Sequence, residues 1–293
     1  MHNSTLARAI GTLRKQKTFM DLNTVSEIAK PHSRQDLKAW RPGDAFLAGG
    51  TWLFSEPQPR LNRLIDLTAF EWPPIVLTEE ELRISATCTL AQLDGFSMPQ
   101  DWRAAPLVNQ CCRSLYGSFK IWNAATVGGN ICMALPAGPM ISLSAALDGV
   151  CTIWTPDGLD RHLAVTDVVV GPQQNALRSG EILHSIAMPT EALMRRTAFR
   201  QISLTPQGRS AALVIGTLSR SGSFALTVTA STRRPIKLSF PNVPADLELR
   251  RRIEAEIPSS MYYDDVHGAP AWRRHMTLTF ADEIRRELSE PQA

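Results

Sequence analysis

Hydrophobic and polar positions alternate in short bursts over the first two thirds of the chain, and their period keeps changing. Thr24–Pro31 ("TVSEIAKP") reads as a short strand. "SRQDLKAW" then has helical spacing, with Ser33 as N-cap and a stop before Pro42. "AFLAGGTWLF", Ala45 to Phe54, is an apolar strand running into a double glycine, and "RLIDLT" is another strand. "LRISATCTLAQLDGF" couples a strand to a helix that Thr89 can cap, and "DWRAAPLVNQCCRSL" is helical. Asn123–Met140 ("NAATVGGNICMALPAGPM") breaks this rhythm. It holds small residues, a second double glycine and two prolines, almost nothing ionisable, and reads as irregular chain. "MISLSAALDG" is an apolar helix ended by Gly149. "VCTIWTPDGLDRHLAV" is two strands about a Pro-Asp-Gly turn.

The last hundred residues have a different texture. "SAALVIGTLSRSGSFALTVTAS" is a strand pair about a Ser/Gly turn, with Phe224, Leu226, Val228 and Ala230 alternating as on a half-buried antiparallel strand. Pro244 opens a helix carrying Leu249, Ile253 and Ile257. Pro270 opens a longer one carrying Trp272, Met276, Phe280, Ile284 and Leu288. The pattern predicts an α+β chain. Residues 20–70 form a first lobe and 71–190 a second. Residues 191–293 form a C-terminal α+β domain, an antiparallel sheet with helices on one face. Residues 1–19 lie before the first strand and read as an extension outside the fold, or as an upstream start ahead of Met20.

Charge narrows the function. The net charge is +3, but the first nineteen residues hold four positive charges and no acid, so the remainder carries −1. That balance argues against a nucleic-acid surface. No apolar run reaches membrane-spanning length, and the opening segment makes a poor secretory signal. The five cysteines (Cys88, Cys111, Cys112, Cys132, Cys151) are odd in number and form no C-x-x-C. They fit neither a disulfide framework, nor zinc, nor an iron–sulfur cluster, and imply reduced thiols in a cytoplasmic protein.

The candidate chemistry lies in the two glycine pairs, "LAGGTWL" (Leu47–Leu53) and "ATVGGNI" (Ala125–Ile131). Each is either an ordinary turn or a concavity of backbone N–H groups that grips an anion. Two such concavities suit the two phosphates of a dinucleotide, with Thr51 and Asn130 adding side-chain bonds. Neither pair is the Rossmann or the Walker fingerprint.

In sequence order, "LAGGTWL", "LIDLT", "LRISATCTLAQL", "ATVGGNI" and "EILHSIAMP" resemble the FAD-binding medium subunits of the molybdenum hydroxylases, as in carbon monoxide dehydrogenase and xanthine dehydrogenase. The resemblance runs from Val25 to Pro189 and continues more weakly through "TAFRQISL". It implies a two-lobed FAD-binding fold of the vanillyl-alcohol-oxidase (PCMH) type, with the C-terminal domain against the flavin. It also implies electron transfer from a partner iron–sulfur subunit with 2Fe–2S clusters, reduced in turn by a molybdopterin-binding large subunit. Carried over by residue, Ala48, Gly49, Gly50, Thr51 and Trp52 match a first pyrophosphate loop. Thr126, Val127, Gly128, Gly129 and Asn130 match a second. Leu183 matches a leucine packing beside the isoalloxazine. Arg200 stands where a relative has lysine near the flavin, and is otherwise a surface strand arginine. Pro139 stands where the family has an acid, Trp122 and Leu204 where it has arginines, and Trp52 where it has a smaller polar residue. Two rival readings remain at this stage: a self-sufficient flavin oxidase of the same fold, and a remnant that has lost FAD. The histidines are scattered, with His162 and His184 expected to face solvent. Asp264, Asp265 and His267 read as a polar loop before a helix.

Overall fold

A computed structural model describes residues 22–290, so the expectation for residues 1–19 lies outside the described chain. The first lobe is a three-stranded parallel sheet of β1 (Glu27–Ala29), β2 (Asp44–Leu47) and β3 (Arg63–Asp66), in the order β1-β3-β2. Leu64 and Ile65 supply its buried apolar centre. Asp44 and Arg63 stand opposite each other in the β2–β3 register and form a buried ion pair, Nε to Oδ1 2.8 Å. The helix expected from Ser33 reduces to one 3-10 turn, Arg34–Asp36, with Ser33 and Asp36 capping each other. Arg34 is drawn away to the second lobe, where it pairs with Asp160 at 2.7 Å and bonds the Thr155 and Leu159 carbonyls.

The second lobe is built on β4 (Ile75–Leu77), β5 (Glu81–Ser85), β6 (Val150–Trp154), β7 (Asp160–Ala164) and β10 (Ile182–Pro189). They form an antiparallel sheet in the order β4-β5-β10-β6-β7. Between β5 and β6 run α1 (Leu90–Asp94), α2 (Ala105–Arg113), α3 (Phe119–Ala124), α4 (Val127–Cys132) and α5 (Pro139–Ala146). A short turn α6 (Val165–Val168) and a ribbon of β8 (Val169–Gly171) and β9 (Gln174–Asn175) precede β10, and α7 (Thr190–Leu193) follows it. Thr89 caps α1 as expected. The stretch expected to be irregular, Asn123–Met140, is irregular only at 125–126 and 133–138; it holds the end of α3, all of α4 and the start of α5. Small residues allow this, because α4 lies pressed against its neighbours, where larger side chains would not fit.

The C-terminal sheet is an antiparallel meander, β11 (Arg196–Ile202), β12 (Ala212–Leu218), β13 (Phe224–Thr229) and β14 (Ile236–Phe240). One face packs under α8 (Asp246–Glu256) and α9 (Pro270–Ser289), through Val214, Leu226, Val228, Ile253 and Ile284. α8 begins after an Ala245 N-cap, one residue beyond Pro244, while Pro270 does occupy the first turn of α9. The other face is covered too. Leu213 and Ile215 join the core of the second lobe, and α5, buried at all eight of its residues, lies against β12 and β13. β13 is therefore buried on both faces, not half-buried. Its polar positions conceal this in the sequence, because Thr229 finds the Ser142 hydroxyl at 2.6 Å.

Candidate functional site

β2 ends at Leu47, and its carboxyl end opens into a cleft of about 750 Å³ between the two lobes and the C-terminal domain. Ligand sites at the carboxyl ends of parallel strands are a recurring consequence of αβ layering, and the volume is in the range of cofactor pockets. The first glycine stretch, Ala48 to Leu53, forms one wall. The backbone N–H groups of these six residues donate to no acceptor among the described residues. Gly50 sits at φ +67°, where the loop turns sharply. Gly49 is needed for a different reason: a Cβ there would lie 1.7 Å from the Ala124 carbonyl oxygen, at the foot of α3. This wall is a row of free donors shaped by close packing.

The second glycine pair is different in kind. Thr126 is the N-cap of α4, and both glycines lie in its first turn. The expected second concavity of free N–H groups is not there. Val127 N–H donates to Cys88 O, Gly128 N–H to Ala86 O, Gly129 N–H to Thr126 Oγ1 and Asn130 N–H to Thr126 O, at 2.9 to 3.1 Å. Gly128 is a packing glycine, since a Cβ would meet the Ala86 Cβ at 2.4 Å. A Cβ on Gly129 would meet only Thr126 Oγ1, at 2.9 Å, and would otherwise project into the cleft. Asn130 Oδ1 accepts the Met140 N–H at 3.0 Å, which leaves the Asn130 NH2 as a donor at the cleft. Pro139 sits at the start of α5, where a missing N–H costs nothing, so the helix start accounts for the proline in place of an acid.

The remaining expected residues separate clearly. Thr51, Trp52, Thr126 and Leu183 line the cleft, with Leu183 buried on β10. Val127 does not, because its side chain is packed into the core. Arg200 does not either. It reaches across to α9 and pairs with Glu283 at 2.8 Å and Glu287 at 2.7 Å. Burial pushes its guanidinium pKa down, but these two carboxylates raise it on balance. Trp122 packs on the core, with its indole N–H on Leu115 O, and Leu204 is exposed. His184 is not at the surface. It stacks on Trp154 at 4.5 Å and meets Trp72 edge-on, and burial holds its pKa below the usual value.

Three lining residues carried no local signal, Gln207, Arg209 and Ser210, and a fourth, His267, read only as part of a polar loop; all come from the C-terminal domain. His267 is brought there by Arg273. This buried guanidinium bonds Asp265, the Gly268 carbonyl and the carbonyls of Ala211 and Ala230, and so ties the 265–268 turn to the ends of β12 and β13. The Asp265–His267 spacing was visible in the sequence, but the distant partner was not. Glu181, also lining, is neutralised by Arg161 at 2.5 Å and accepts the Arg178 N–H. Burial pushes its pKa up, but the Arg161 bond and that N–H outweigh burial and lower it on balance. Cys132 lines the cleft with its thiol pushed up to about 12 by burial, which leaves it protonated and a poor nucleophile.

These features fit FAD. A dianionic pyrophosphate wants several convergent N–H donors and no side chain in its way, which the Ala48–Leu53 row and the bare side of Gly129 provide. Apolar walls from Leu47, Leu53, Leu135 and Leu183 suit a flat aromatic ring system.

Comparison with known proteins agrees. Residues 20–191 match the family described as "FAD binding domain in molybdopterin dehydrogenase". The nicotinate dehydrogenase FAD-subunit of Eubacterium barkeri is 26% identical over 172 residues, covering 54% of this chain and 55% of that protein. The xanthine dehydrogenase FAD-binding subunit of Escherichia coli O157:H7 is 29% identical over 161 residues, covering 53% and 54%. The chain thus spans about half the length of the curated relatives it matches. Quinoline 2-oxidoreductase from Pseudomonas putida 86 shares the fold, with a TM-score of 0.72 at 18% identity, covering 90% of this chain and 96% of that one. The architecture is the α+β fold of flavoprotein subunits, with a C-terminal antiparallel sheet, and the chain belongs to the family of FAD-binding domains of molybdopterin dehydrogenases.

Proposed function

We propose that this chain is the FAD-binding, electron-transfer subunit of a molybdopterin-dependent dehydrogenase. Iron–sulfur clusters and molybdopterin reside on partner subunits, and the complex works in the cytoplasm, where unpaired cysteines stay reduced. The observation that carries this reading is the row of N–H groups from Ala48 to Leu53, without an acceptor among the described residues, on the wall of an apolar cleft that Gly129 also lines. When bound, FAD supplies the electron-carrying chemistry. The chain's own residues hold it: Ala48–Leu53 donate to the pyrophosphate, Asn130 NH2 offers a side-chain donor, and Leu183 packs the ring. The cofactor is held without a covalent bond, since Cys132 is kept protonated.

Electron transfer is favoured over self-sufficient oxidation because the cleft lacks a paired acid and base. Glu181 is committed to Arg161, and the ring of His267 bonds no carboxylate among the described residues. The test is a stopped-flow comparison of flavin bleaching. In the purified subunit alone, an alcohol, aldehyde or hydroxy acid should bleach the flavin slowly. In the assembled complex, the complex's substrate should bleach it rapidly. Fast bleaching of the lone subunit by a small organic reductant would promote the oxidase in its place. No described helix is long and apolar enough to cross a membrane.

A further inference from the structure

The cleft has direction. At the amino end of α4 lie Thr126, Ala125 and the Ala124 carbonyl that Gly49 packs on, so the free N–H row sits at this end. At the carboxyl end lie Met133, Leu135, Ala137 and Gly138. This loop meets the C-terminal domain, where Ala230 N–H donates to Pro136 O at 2.8 Å. Arg273 draws Ala211, Ala230 and Gly268 together there, which sets Arg209, Ser210 and His267 beside that far end. Helix α4 has six residues, so the two ends lie about 9 Å apart at 1.5 Å per residue. The N–H row and Arg209 thus line different ends of the cleft, with α4 between them.

Charge points the same way. Of the ionisable side chains lining the cleft, Glu181 is paired, and the Cys132 thiol stays protonated. Arg209 alone carries a permanent charge that no carboxylate answers among the described residues. Nothing in the fold uses it: it makes no hydrogen bond or ion pair within the described chain, while Arg200, the cation expected near the flavin, is spent on α9. The other arm of the cleft, Ser114 to Gly117 with Ile121, offers no such charge.

Resting on the FAD-binding reading above, we propose that the riboflavin arm of the cofactor runs along α4 and that Arg209 faces the pyrimidine edge of the isoalloxazine. There its guanidinium balances the negative charge that the ring acquires on reduction. Uptake of two electrons and one proton leaves one negative charge on the ring, and an adjacent fixed cation favours that state over the neutral oxidised one. Arg209 is thus a charge-balancing residue, not a phosphate ligand. Its defining signature is a difference between oxidation states.

The test uses the full-length chain stripped of flavin. It is titrated anaerobically with oxidised FAD and with dithionite-reduced FAD, for the wild type, Arg209→Gln, Arg209→Lys and Arg220→Gln. Arg220→Gln removes one charge from the exposed turn between β12 and β13, away from the cleft. Arg209→Gln should weaken reduced FAD about tenfold, the scale of losing one charged hydrogen bond, and leave oxidised FAD within about twofold. The bound flavin's midpoint potential should then move to more negative values. Arg209→Lys should recover most of the difference, and Arg220→Gln should match the wild type. Equal weakening of both oxidation states would place Arg209 on the phosphates or the adenosine and overturn the proposal. So would an unchanged ratio, or an equal effect from Arg220→Gln. A wild-type chain that binds flavin in neither state would overturn the FAD-binding reading itself, and this proposal with it.

Discussion

The two adjacent glycines of α4 look alike in the sequence and behave oppositely. Gly128 is filled in by Ala86, so Gly128→Ala forces a methyl into occupied space and should cost about 1–3 kcal/mol of stability. Gly129 is helical, not left-handed, so the backbone accepts alanine and gains helix propensity. Gly129→Ala also crowds the Thr126 cap hydroxyl at 2.9 Å, so it should lower the melting temperature of the apo chain less than Gly128→Ala does while weakening FAD at least about tenfold, because the new methyl enters the cleft. Thermal melts paired with FAD titrations separate the two, and full FAD affinity in Gly129→Ala would remove Gly129 from the binding surface. A second residue-level test concerns Asp44. The hydrogen bond from Arg63 holds its pKa below the usual carboxylate range, against the opposing pull of burial. A carboxylate with a depressed folded pKa adds stability above its unfolded pKa of about 3.9. It loses that contribution as pH falls through the folded value. Stability measured by urea unfolding should therefore fall below about pH 4. Asp44→Asn, which strands a buried guanidinium, should cost about 3–5 kcal/mol at neutral pH and flatten that acid limb.

Among elements, those with one clear period were legible in the sequence. The Pro-Asp-Gly hairpin of β6 and β7, the Thr89-capped α1 and the long amphipathic α9 all formed where their patterns put them. Elements sharing two neighbours were not. β13 carries Thr227 and Thr229 on the face it turns to α5, so alternation suggested solvent where there is a second core. α4 was missed because its glycine pair reads as loop, and only close neighbours such as Ala86 explain why Gly128 is small. Among the cleft-lining residues, the first glycine loop stood out in the local sequence and Leu183 came only through the family resemblance, while Gln207, Arg209 and Ser210 had neither signal. Arg209 and His267 reach it through Arg273 and contacts more than forty residues away in sequence. The same dependence on distant partners governs Gly216 on β12. A Cβ there would lie 2.2 Å from Ile284 Cγ2 and 2.9 Å from Leu288 Cδ1, so α9 crosses the sheet at this point only because the side chain is absent. Gly216→Ala should cost about 1–3 kcal/mol in urea unfolding. Combined with Ile284→Ala, which removes the clashing atoms, it should cost less than the two single changes added together. Strict additivity would mean that α9 moves freely to accommodate the methyl.

At the scale of the molecule, the cleft is a property of how three sheets meet. The first lobe touches the second through an aromatic junction. Phe70 stacks on Trp72 at 4.8 Å, Trp154 meets both edge-on, and His184 and Arg34 flank Trp154. Phe46, Leu67 and Ile182 belong to the same apolar cluster and also line the cleft, so the junction sets the distance between the walls. Trp154 itself is not a lining residue. Trp154→Ala should nevertheless weaken FAD binding, because loosening the junction lets the first glycine loop drift from α4. It should also lower the melting temperature, as loss of a large aromatic contact costs about 3–5 kcal/mol when the ring is fully buried and less for this half-buried one. Ligand linkage supplies the decisive readout. FAD at a hundred times its dissociation constant should stabilise the wild-type chain by about 2.7 kcal/mol, and it should do so in a single transition, because all three sheets contribute to the site. In Trp154→Ala the same free FAD concentration should give a smaller shift, recovered as FAD is raised further. A mutant that melts earlier yet shows the wild-type FAD shift at every concentration would separate the junction from the site. It would mean that the lobes hold their spacing without Trp154, through contacts such as the Phe70–Trp72 stack and the Arg34–Asp160 pair.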